Sequence, residues 1–318
     1  MRTCPVFSLV IPVYNEEKLI DELVRRTVPA IESFTADYEL IFVDDGSTDR
    51  SAELILQHRK KNKKVKLLSL SRNFGHQAAY TAGLEYSAGD IVGMMDGDLQ
   101  DPPEVLRDMY NKMTAEDLEV VSGIRSGRRG SRRRNLTSGI FHFLFRHTGN
   151  LENIENSGNF SIMKRVVLEA VLSMREKVRY IPGLRAAAGF RQGYVEYVRD
   201  DRYGGKPKMT FKSLFSLAGD AIFSFSKLPV RICLILGIAG TVIFFGAGIY
   251  FLIAKISGAA VPGWLSTFPG LYFLGSIQLL FLGILGEYIY RNYKETQNRP
   301  IYFARKFYDE HDENEEDQ

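Results

Sequence analysis

In the segment DIVGMMDGDLQDPP, residues 90–103, an apolar run typical of a buried strand is followed by three closely spaced aspartates. Asp96 and Asp98 are two positions apart, so at the end of an extended strand their carboxylates point the same way. Asp101 follows closely. A hard cation such as Mg2+ or Mn2+ prefers oxygen ligands and is commonly held by one or two carboxylates plus the phosphates of a substrate. The spacing therefore predicts a divalent metal on a bound diphosphate, with a pair of aspartates in a surface turn as the ordinary alternative.

The first 200 residues alternate between two kinds of segment. Apolar, β-prone runs cover 7–14, 38–45, 64–71 and 90–96, and helix-like segments lie near 17–34, 49–62 and 76–87. This alternation predicts an α/β fold, an open Rossmann-like sheet with helices on both faces, in which ligands bind beyond the carboxyl ends of the strands. Polar residues stand where each of the four runs ends: Tyr14, Asn15 and Glu16, then Asp44 and Asp45, then Arg72 and Asn73, then Asp96 and Asp98. Four polar strand ends predict a single site.

Several kinds of site are excluded by missing motifs. The sequence has no GxGxxG after the first strand and no GxxxxGK[ST], so a dinucleotide cofactor and a P-loop are not expected. It has neither a His/Cys cluster for zinc nor a GxSxG nucleophile. Cys4 and Cys233 are far apart, and no disulfide is expected. The remaining chemistry is that of carboxylates.

Two long tracts carry no charge, between Arg231 and Lys255 and from Ile256 to Gly286. A bilayer core of roughly 30 Å needs about 20 apolar residues. The tracts therefore predict a transmembrane hairpin over 231–290, with helices near 231–254 and 266–288. Two buried core helices are the alternative.

The flanks of the hairpin predict its orientation. Lys227 and Arg231 precede it and five cations follow, whereas the turn has only Lys255 at its edge. By the positive-inside rule, both termini and the catalytic domain face the cytoplasm, and a bacterial inner-membrane protein is expected. The N-terminus shows no secretory signal, and the acidic end DEHDENEEDQ is expected to be a disordered part of a cytoplasmic tail, 291–318.

Four motifs give the chain a family resemblance: IPVYNEE (11–17), FVDDGSTD (42–49), SRNFGHQAAYTAG (71–83) and MDGDLQDPPE (95–104). They resemble the successive motifs of family 2 glycosyltransferases with the GT-A fold. Within that family the likeness is strongest to the polyprenyl-phosphate glycosyltransferases, which include bacterial bactoprenol glucosyltransferases and dolichyl-phosphate mannose synthase. It spans about residues 5–230, and two membrane helices match the bacterial branch. The motifs are much less specific for the sugar.

The resemblance assigns roles to residues of the strand ends. It implies that Pro12, Tyr14, Glu16 and Asp44 surround the nucleotide of the donor, and that Asp96, Asp98 and Gln100 hold Mg2+ or Mn2+ on its diphosphate. Asp45 lies beside that pocket, and the alternative for it is to cap the turn GSTD.

A basic segment follows, since residues 124–146 contain seven arginines and no acid occurs between Glu119 and Glu152. A nucleic-acid footprint is one interpretation, but the net charge is only +3 and no nucleic-acid module is present, so we expect no nucleic-acid partner. Beside membrane helices, anionic headgroups or a lipid phosphate are the better partner. By resemblance Arg125 contacts the donor diphosphate, and Arg134 with Ser138 the acceptor phosphate.

The segment RYGGKPK, 202–208, resembles the mobile loop of the family, with Arg202 and Lys208 at its basic positions. Glycines beside cations suit a loop that closes over phosphates, and we expect both residues at the acceptor phosphate. The sequence pattern of residues 209–230 predicts an amphipathic helix that lies on the membrane surface, and a helix packed in the protein core is the alternative. The predicted organisation is a GT-A domain over 1–208, this helix, the hairpin and the tail; a homo-oligomer is left open.

The expected reaction is inverting transfer of a hexose to polyprenyl phosphate, with UDP-glucose as the leading donor by resemblance and other UDP-sugars or GDP-mannose behind it. Asp96, Asp98, Arg202 and Asn159 are the expected catalytic residues. Asn159 stands where many relatives carry an aspartate proposed as a base, but an amide cannot take that proton. Either no base is needed, or Asn159 positions the acceptor, or the residue is altered. A processive synthase is disfavoured because QxxRW is absent; a non-catalytic membrane scaffold that binds nucleotide-sugar is the rival.

Overall fold

The computed structural model describes residues 6–126, 157–177, 179–198, 228–257 and 264–309. The elements in chain order are β1 (Phe7–Val13), α1 (Ile20–Glu32), β2 (Tyr38–Asp44), α2 (Ser51–Lys61), β3 (Val65–Leu70), α3 (His76–Tyr86), β4 (Ile91–Met94), α4 (Val105–Ala115), β5 (Val120–Ser126), β6 (Ser157–Lys164), α5 (Arg165–Ser173), α6 (Ile181–Ala187), β7 (Gln192–Val198), α7 (Leu228–Ile256), α8 (Trp264–Thr296) and β8 (Ala304–Tyr308). The four predicted strands and the three intervening helices are all present, each shorter than its predicted range by one to five residues.

The described strands form one mixed sheet in the order β7-β5-β6-β4-β1-β2-β3-β8. β1 pairs in parallel with both β2 and β4, and β2 pairs in parallel with β3. β6 runs antiparallel to β4 and β5, and β8 antiparallel to β3. The predicted α/β sheet is thus confirmed. The four parallel strands β1, β2, β3 and β4 have their carboxyl ends on the same side of the sheet.

Apolar cores lie on both faces of the sheet, as the alternation predicted. Leu9 of β1 belongs to a cluster with Leu23 of α1 and Met109 of α4, whereas its neighbour Val10 belongs to a second cluster with Tyr80 of α3. Every residue of β1 and β2 is buried, because helices cover both faces of these central strands. Burying one large aliphatic side chain contributes roughly 1.5–3 kcal/mol, so these strands give the strand ends a rigid base.

Strand β8 lies in the segment for which a cytoplasmic tail was predicted. It pairs with the edge strand β3, and the backbone N–H of Ser71 donates to the carbonyl of Phe303 over 2.9 Å. The Tyr302 hydroxyl donates to Glu85 on α3. This edge pairing was not predicted because ARKFY is short and charged. Residues 310–318, most of the predicted disordered end, lie outside the described residues.

The chain divides into two compact units, one containing the sheet and its helices and the other containing α7 and α8. The long apolar tracts do form helices, of 29 and 33 residues. Large apolar side chains are exposed on both, among them Leu234, Ile243 and Leu279. Among the residues that the structure describes, however, no helix combines the length and hydropathy needed to cross a bilayer. The structure supports the two helices and does not support their assignment as membrane spans.

Candidate active site

The ends of β1, β2 and β4 meet because the three strands are parallel and in register. Val13 of β1 lies opposite Asp44 of β2, and Val10 of β1 lies opposite Met94 of β4. Gly97 follows at a point where a Cβ atom would stand 2.9 Å from the carbonyl oxygen of Pro12. A side chain at this position would push the backbone of residue 97 away from that of Pro12. Glycine at 97 therefore lets Asp96 and Asp98 lie beside β1.

Asp96 is held by three side chains that converge on one of its oxygens. Oδ1 accepts hydrogen bonds from the Tyr80 hydroxyl at 2.6 Å and from Asn159 Nδ2 at 3.4 Å. His76 Nε2 lies 3.2 Å from the same oxygen. Among the described residues, no hydrogen bond reaches Oδ2. One oxygen is therefore fixed by the protein, and the other is available to a ligand.

The charges in this cluster support each other. Burial alone would raise the pKa of Asp96, but the hydrogen bonds and positive charge of His76, with the bonds from Tyr80 and Asn159, lower it below its ordinary value. Burial would likewise lower the pKa of His76, yet its hydrogen bond with Asp96 and the charges of Asp96, Asp98 and Asp45 raise it. Asp96 is therefore a carboxylate at neutral pH.

Asp98 and Gln100 lie in a tight loop after Asp96. Asp98 Oδ1 accepts the backbone N–H of Gln100 at 3.2 Å, and Leu99 between them has a positive φ of 57°. This bond turns the Asp98 carboxylate back over its own loop. The local turn explains why the backbone N–H of Gln100, rather than its side chain, contacts Asp98.

The donor set fits a cation that is shared with a bound diphosphate. Among the described residues, no group of three or more His, Cys, Asp or Glu side chains could hold a metal ion by itself. Mg2+ and Mn2+ do not require such a group, because they bind one or two carboxylates and complete their shell with phosphates and water. The unbonded Oδ2 of Asp96 is the oxygen that such an ion would use.

Asp101, the last aspartate of the segment, binds other partners. Its side chain is buried, and Oδ1 accepts a hydrogen bond from the Tyr197 hydroxyl at 2.5 Å. Arg125 Nη2 lies 3.9 Å from the same oxygen, and Arg125 Nε lies 3.4 Å from the Tyr197 hydroxyl. Burial would lower the pKa of Arg125, but Tyr197 and Asp101 raise it. Asp101 thus orients Arg125, the predicted ligand of the diphosphate.

Asp44 and Asp45 at the end of β2 bind the backbone of two different loops. Asp44 Oδ1 accepts the backbone N–H of Ser47 at 2.9 Å, so Asp44 caps the turn GSTD. Asp45 instead accepts the N–H groups of Phe74 and Gly75, at 2.7 and 2.9 Å. The alternative that Asp45 caps this turn is therefore wrong. Its side chain points toward the loop after β3.

The loops after β1 and β2 are tied together beside Asp44. Asn15, at a φ of 54°, donates its backbone N–H to Ser47 Oγ and accepts the Thr48 N–H on its side chain. The N–H of Glu16 donates to Ser51 Oγ at 2.9 Å. Pro12 is buried in β1, and Tyr14 is 38% exposed at the strand end. The predicted nucleotide residues thus occupy one ordered corner.

Not all predicted site residues can be placed. Arg134 and Ser138, and likewise Arg202 and Lys208, lie outside the described residues. Asn159 lies on β6, and its side chain donates to Asp96. Of the predicted catalytic residues that the structure describes, Asn159 and Asp96 are therefore in contact.

Three contributors were missed: His76, Gln77 and Tyr80, all on α3. His76 and Tyr80 are four residues apart, so they share a helix face, and their rings lie edge to face at 4.8 Å. Gln77 Nε2 donates to Asn159 Oδ1 at 3.3 Å. The signal was available, since a helix beginning just after a polar strand end projects its first turn into the site.

A cavity of about 320 Å3 opens beside this cluster. His76 and Gln77 line one part of it, and Lys177 and Arg179 line another. No acidic side chain is among its lining residues. Two cationic residues thus line the cavity, and His76 belongs both to its lining and to the Asp96 cluster.

Sequence comparisons identify the family. The model of glycosyl transferase family 2 matches residues 8–172. The chain is 36% identical over 308 residues to the uncharacterised glycosyltransferase YkcC of Bacillus subtilis (strain 168), covering 95% of this chain and 94% of that protein. It is 36% identical over 302 residues to the prophage bactoprenol glucosyl transferase homolog of Escherichia coli (strain K12), covering 94% and 98%.

The fold is also that of a solved transferase. Glucosyl-3-phosphoglycerate synthase from Mycobacterium tuberculosis, in complex with Mn2+, UDP and phosphoglyceric acid, superposes with a TM-score of 0.50 at 21% identity, covering 69% of this chain and 76% of that one. At this identity the likeness concerns the fold. The family match and the extent of the similar sequences establish that the chain belongs to glycosyl transferase family 2.

Proposed function

We propose that this glycosyltransferase moves a hexose, glucose in the first instance, from a nucleotide-sugar to polyprenyl phosphate with inversion. The observation that carries the proposal is Asp96, whose one oxygen is held by His76, Tyr80 and Asn159 while the other stays open at the strand end. Such a carboxylate suits a metal–diphosphate group. The name of the Escherichia coli relative supports glucose and bactoprenol as the substrate classes.

The donor would be bound by the corner formed after β1 and β2. The partly exposed ring of Tyr14 offers a surface for the base, and Asp44, which accepts the Ser47 N–H, offers a carboxylate to the nucleoside. A bound Mg2+ or Mn2+, on Asp96 and Asp98 with Gln100 nearby, would neutralise charge on the leaving diphosphate. Arg125, oriented by Asp101, would add a second positive charge there.

The acceptor would attack without help from a general base. A phosphomonoester has a second pKa of about 6, so it is largely ionised at neutral pH. Its oxygen forms the new bond to the anomeric carbon while the bond from that carbon to the diphosphate breaks. Asn159 donates to Asp96 and cannot remove a proton. Its role in this proposal is to orient the carboxylate.

We place the acceptor phosphate in the cationic space beside the donor. Support comes from the cavity lined by Lys177 and Arg179, which shares His76 with the Asp96 cluster. The basic residues Arg134, Ser138, Arg202 and Lys208 complete this part of the proposal by family resemblance alone. Arg134→Ala should then weaken the use of polyprenyl phosphate far more than donor binding, and Asp44→Ala should do the reverse.

We also propose that the protein works at the cytoplasmic face of the bacterial inner membrane, where a polyprenyl lipid is found. Support comes from the large apolar side chains exposed on α7 and α8. Exposing so much apolar surface to water is unfavourable and is typical of a surface that contacts a membrane or a protein. A cysteine at Ser257, between these helices, tests the mode of attachment. Labelling by an impermeant thiol reagent from outside the cell means that the helices cross the bilayer. Labelling only after lysis means that they lie on its inner face.

The test of the proposed reaction is a screen of nucleotide-sugars against the purified full-length protein with polyprenyl phosphate, with the product lipid measured by mass. UDP-glucose should give a lipid heavier by one hexose, and GDP-mannose should give less. If only another nucleotide-sugar gives product, the proposed sugar is wrong and the proposed reaction type stands. Donor binding without product for any sugar would favour the non-catalytic scaffold.

A further inference from the structure

Gln77 occupies a position from which the direction of its side-chain amide can be deduced. Its Oε1 lies 3.1 Å from the backbone nitrogen of Ile181, at the start of α6. A backbone N–H can only donate, so the Gln77 atom that faces it must be the oxygen. The Gln77 NH2 group is then directed at Asn159 Oδ1, 3.3 Å away. A fixed backbone group thus sets the orientation of Gln77.

The same reasoning fixes Asn159. Because its oxygen accepts from Gln77, its NH2 group is the part that faces Asp96, and Nδ2 lies 3.4 Å from Asp96 Oδ1. Each group donates a hydrogen bond to the next: Ile181 to Gln77, Gln77 to Asn159, and Asn159 to Asp96. Asn159 is therefore presented to Asp96 as a donor, in the only orientation that satisfies both neighbours.

We infer that Gln77 is a positioning residue, which holds Asn159 as a hydrogen-bond donor to Asp96 and so keeps the other oxygen of Asp96 directed at the metal–diphosphate. The inference rests on the proposed function. Outer contacts that orient a metal-binding side chain typically change metal affinity 10- to 100-fold. Gln77 touches neither reacting group, and its effect would pass entirely through Asn159.

This role gives a physical reason for an amide at position 159. An aspartate there could still accept from Gln77, but it could not donate to Asp96. Its charge would stand beside that carboxylate, and like charges at this distance disfavour each other's ionised form. The pairing of Gln77 with Asn159 thus matches a site in which position 159 supports Asp96.

A structural role is the competing explanation, since Gln77 also joins α3 to α6 through Ile181. The two roles differ in how mutations combine. If Gln77 acts through Asn159, then removing Asn159 abolishes the effect of Gln77, and the two losses are not additive. If Gln77 only joins the helices, its loss adds to that of Asn159.

The experiment is a double-mutant cycle on Mn2+ affinity, measured by calorimetry on the full-length protein in the presence of UDP. Gln77→Met and Asn159→Ala should each weaken Mn2+ binding about tenfold, and the double variant should also lose about tenfold rather than a hundredfold. The matched control is Gln57→Met on α2, whose exposed side chain donates a hydrogen bond to Glu53, and it should leave the affinity unchanged.

Two results would overturn the inference. One is wild-type Mn2+ affinity in Gln77→Met, and the other is a double variant whose loss is the product of the single losses. Should Gln77→Met not fold, Gln77→Asn replaces it, because its amide is one methylene too short to bridge both partners. A wild-type protein whose UDP complex takes up no Mn2+ would instead remove the metal part of the proposed function, and this inference with it.

Discussion

The ends of β2 and β4 carry the same kind of residue and use it differently. At β2, Asp45 accepts two backbone N–H groups, from Phe74 and Gly75, and is nearly fully buried. At β4, the side-chain donors that the described part of the chain supplies to Asp96 all lie on one oxygen. The first carboxylate fastens a loop, whereas the second is held ready for a ligand. The role of an aspartate at a strand end therefore depends on the hydrogen-bond donors around its carboxylate and not on its position in the strand.

The pKa directions follow the same division. Burial raises the pKa of Asp45, although the two backbone N–H groups oppose this, and neighbouring Asp44 adds to the rise. For Asp96 burial also acts to raise the pKa, but His76 and the other donors outweigh it and the net pKa is lowered. Asp45 is maintained in a structural position despite its charge, whereas the Asp96 charge is stabilised by its surroundings.

The largest expected effect is on catalysis, at the β4 end. Asp98→Ala should lower transfer at least about 100-fold, because it removes an anionic ligand from the proposed diphosphate-bound cation. The thermal midpoint should change little, since the Asp98 side chain is only half-buried and its removal opens no cavity in the apolar core. Initial rates of product formation measure the effect, and Asp108→Ala, an exposed acid on α4, is the control. Near-normal turnover would remove Asp98 from the site.

The next effect is on stability, at the β2 end. Asp45→Ala leaves the N–H groups of Phe74 and Gly75 without their acceptor, and we expect a loss of about 2 kcal/mol in the free energy of unfolding. Denaturant titration followed by circular dichroism measures it, with Asp108→Ala as reference. A variant as stable as the wild type but unable to bind UDP would mean that Asp45 belongs to the donor pocket.

A smaller effect is expected at His76, which supports Asp96 from α3. His76→Ala should lower transfer roughly tenfold, in the range seen when an outer contact of a metal ligand is lost. His58→Ala is the matched control, because His58 pairs with the exposed Asp21 on α1, and it should leave the rate unchanged. A rate of His76→Ala equal to that of His58→Ala would show that Tyr80 and Asn159 suffice to hold Asp96.

The smallest effect, and the one that compares the two carboxylates most closely, is their titration. In metal-free protein, the carboxyl carbon signal of Asp45 should titrate above the ordinary value of about 3.9 and that of Asp96 below it. By linkage, Asp96 contributes stability that is present above the unfolded pKa and is lost as pH falls through its lower folded pKa. Asp45 has the opposite sign, and its contribution weakens as pH rises through its folded pKa. Equal midpoints would contradict the division.

The strands were predictable where burial was continuous. FSLVIPV and YELIFVD are apolar enough to be recognised without a partner, and their polar ends identified the edge of the sheet that holds the site. The mixed strands beyond β4 were not predicted, and neither was β8, whose charged residues pair with an edge. A short edge strand has no hydrophobic pattern of its own, and its partner is distant in the sequence.

The site was predictable by residue type and less so by contact. Asp96 and Asn159 were identified from motifs, but the donor relation between them depends on how α3, β6 and α6 pack, which no local pattern encodes. Asp44 and Asp45 are adjacent, and only the path of the loop after β3 decides which of them caps the turn. Contacts across sixty or more residues are set by tertiary structure.

The most direct measurement of the difference between the two strand ends is the affinity for UDP with and without Mn2+, determined by calorimetry for the wild type, Asp96→Ala and Asp45→Asn. Mn2+ should strengthen UDP binding by about tenfold or more in the wild type, equivalent to about 1.4 kcal/mol. The strengthening should vanish in Asp96→Ala and persist in folded Asp45→Asn. Strengthening that survives in Asp96→Ala would contradict the assignment of the β4 end as the metal–diphosphate site.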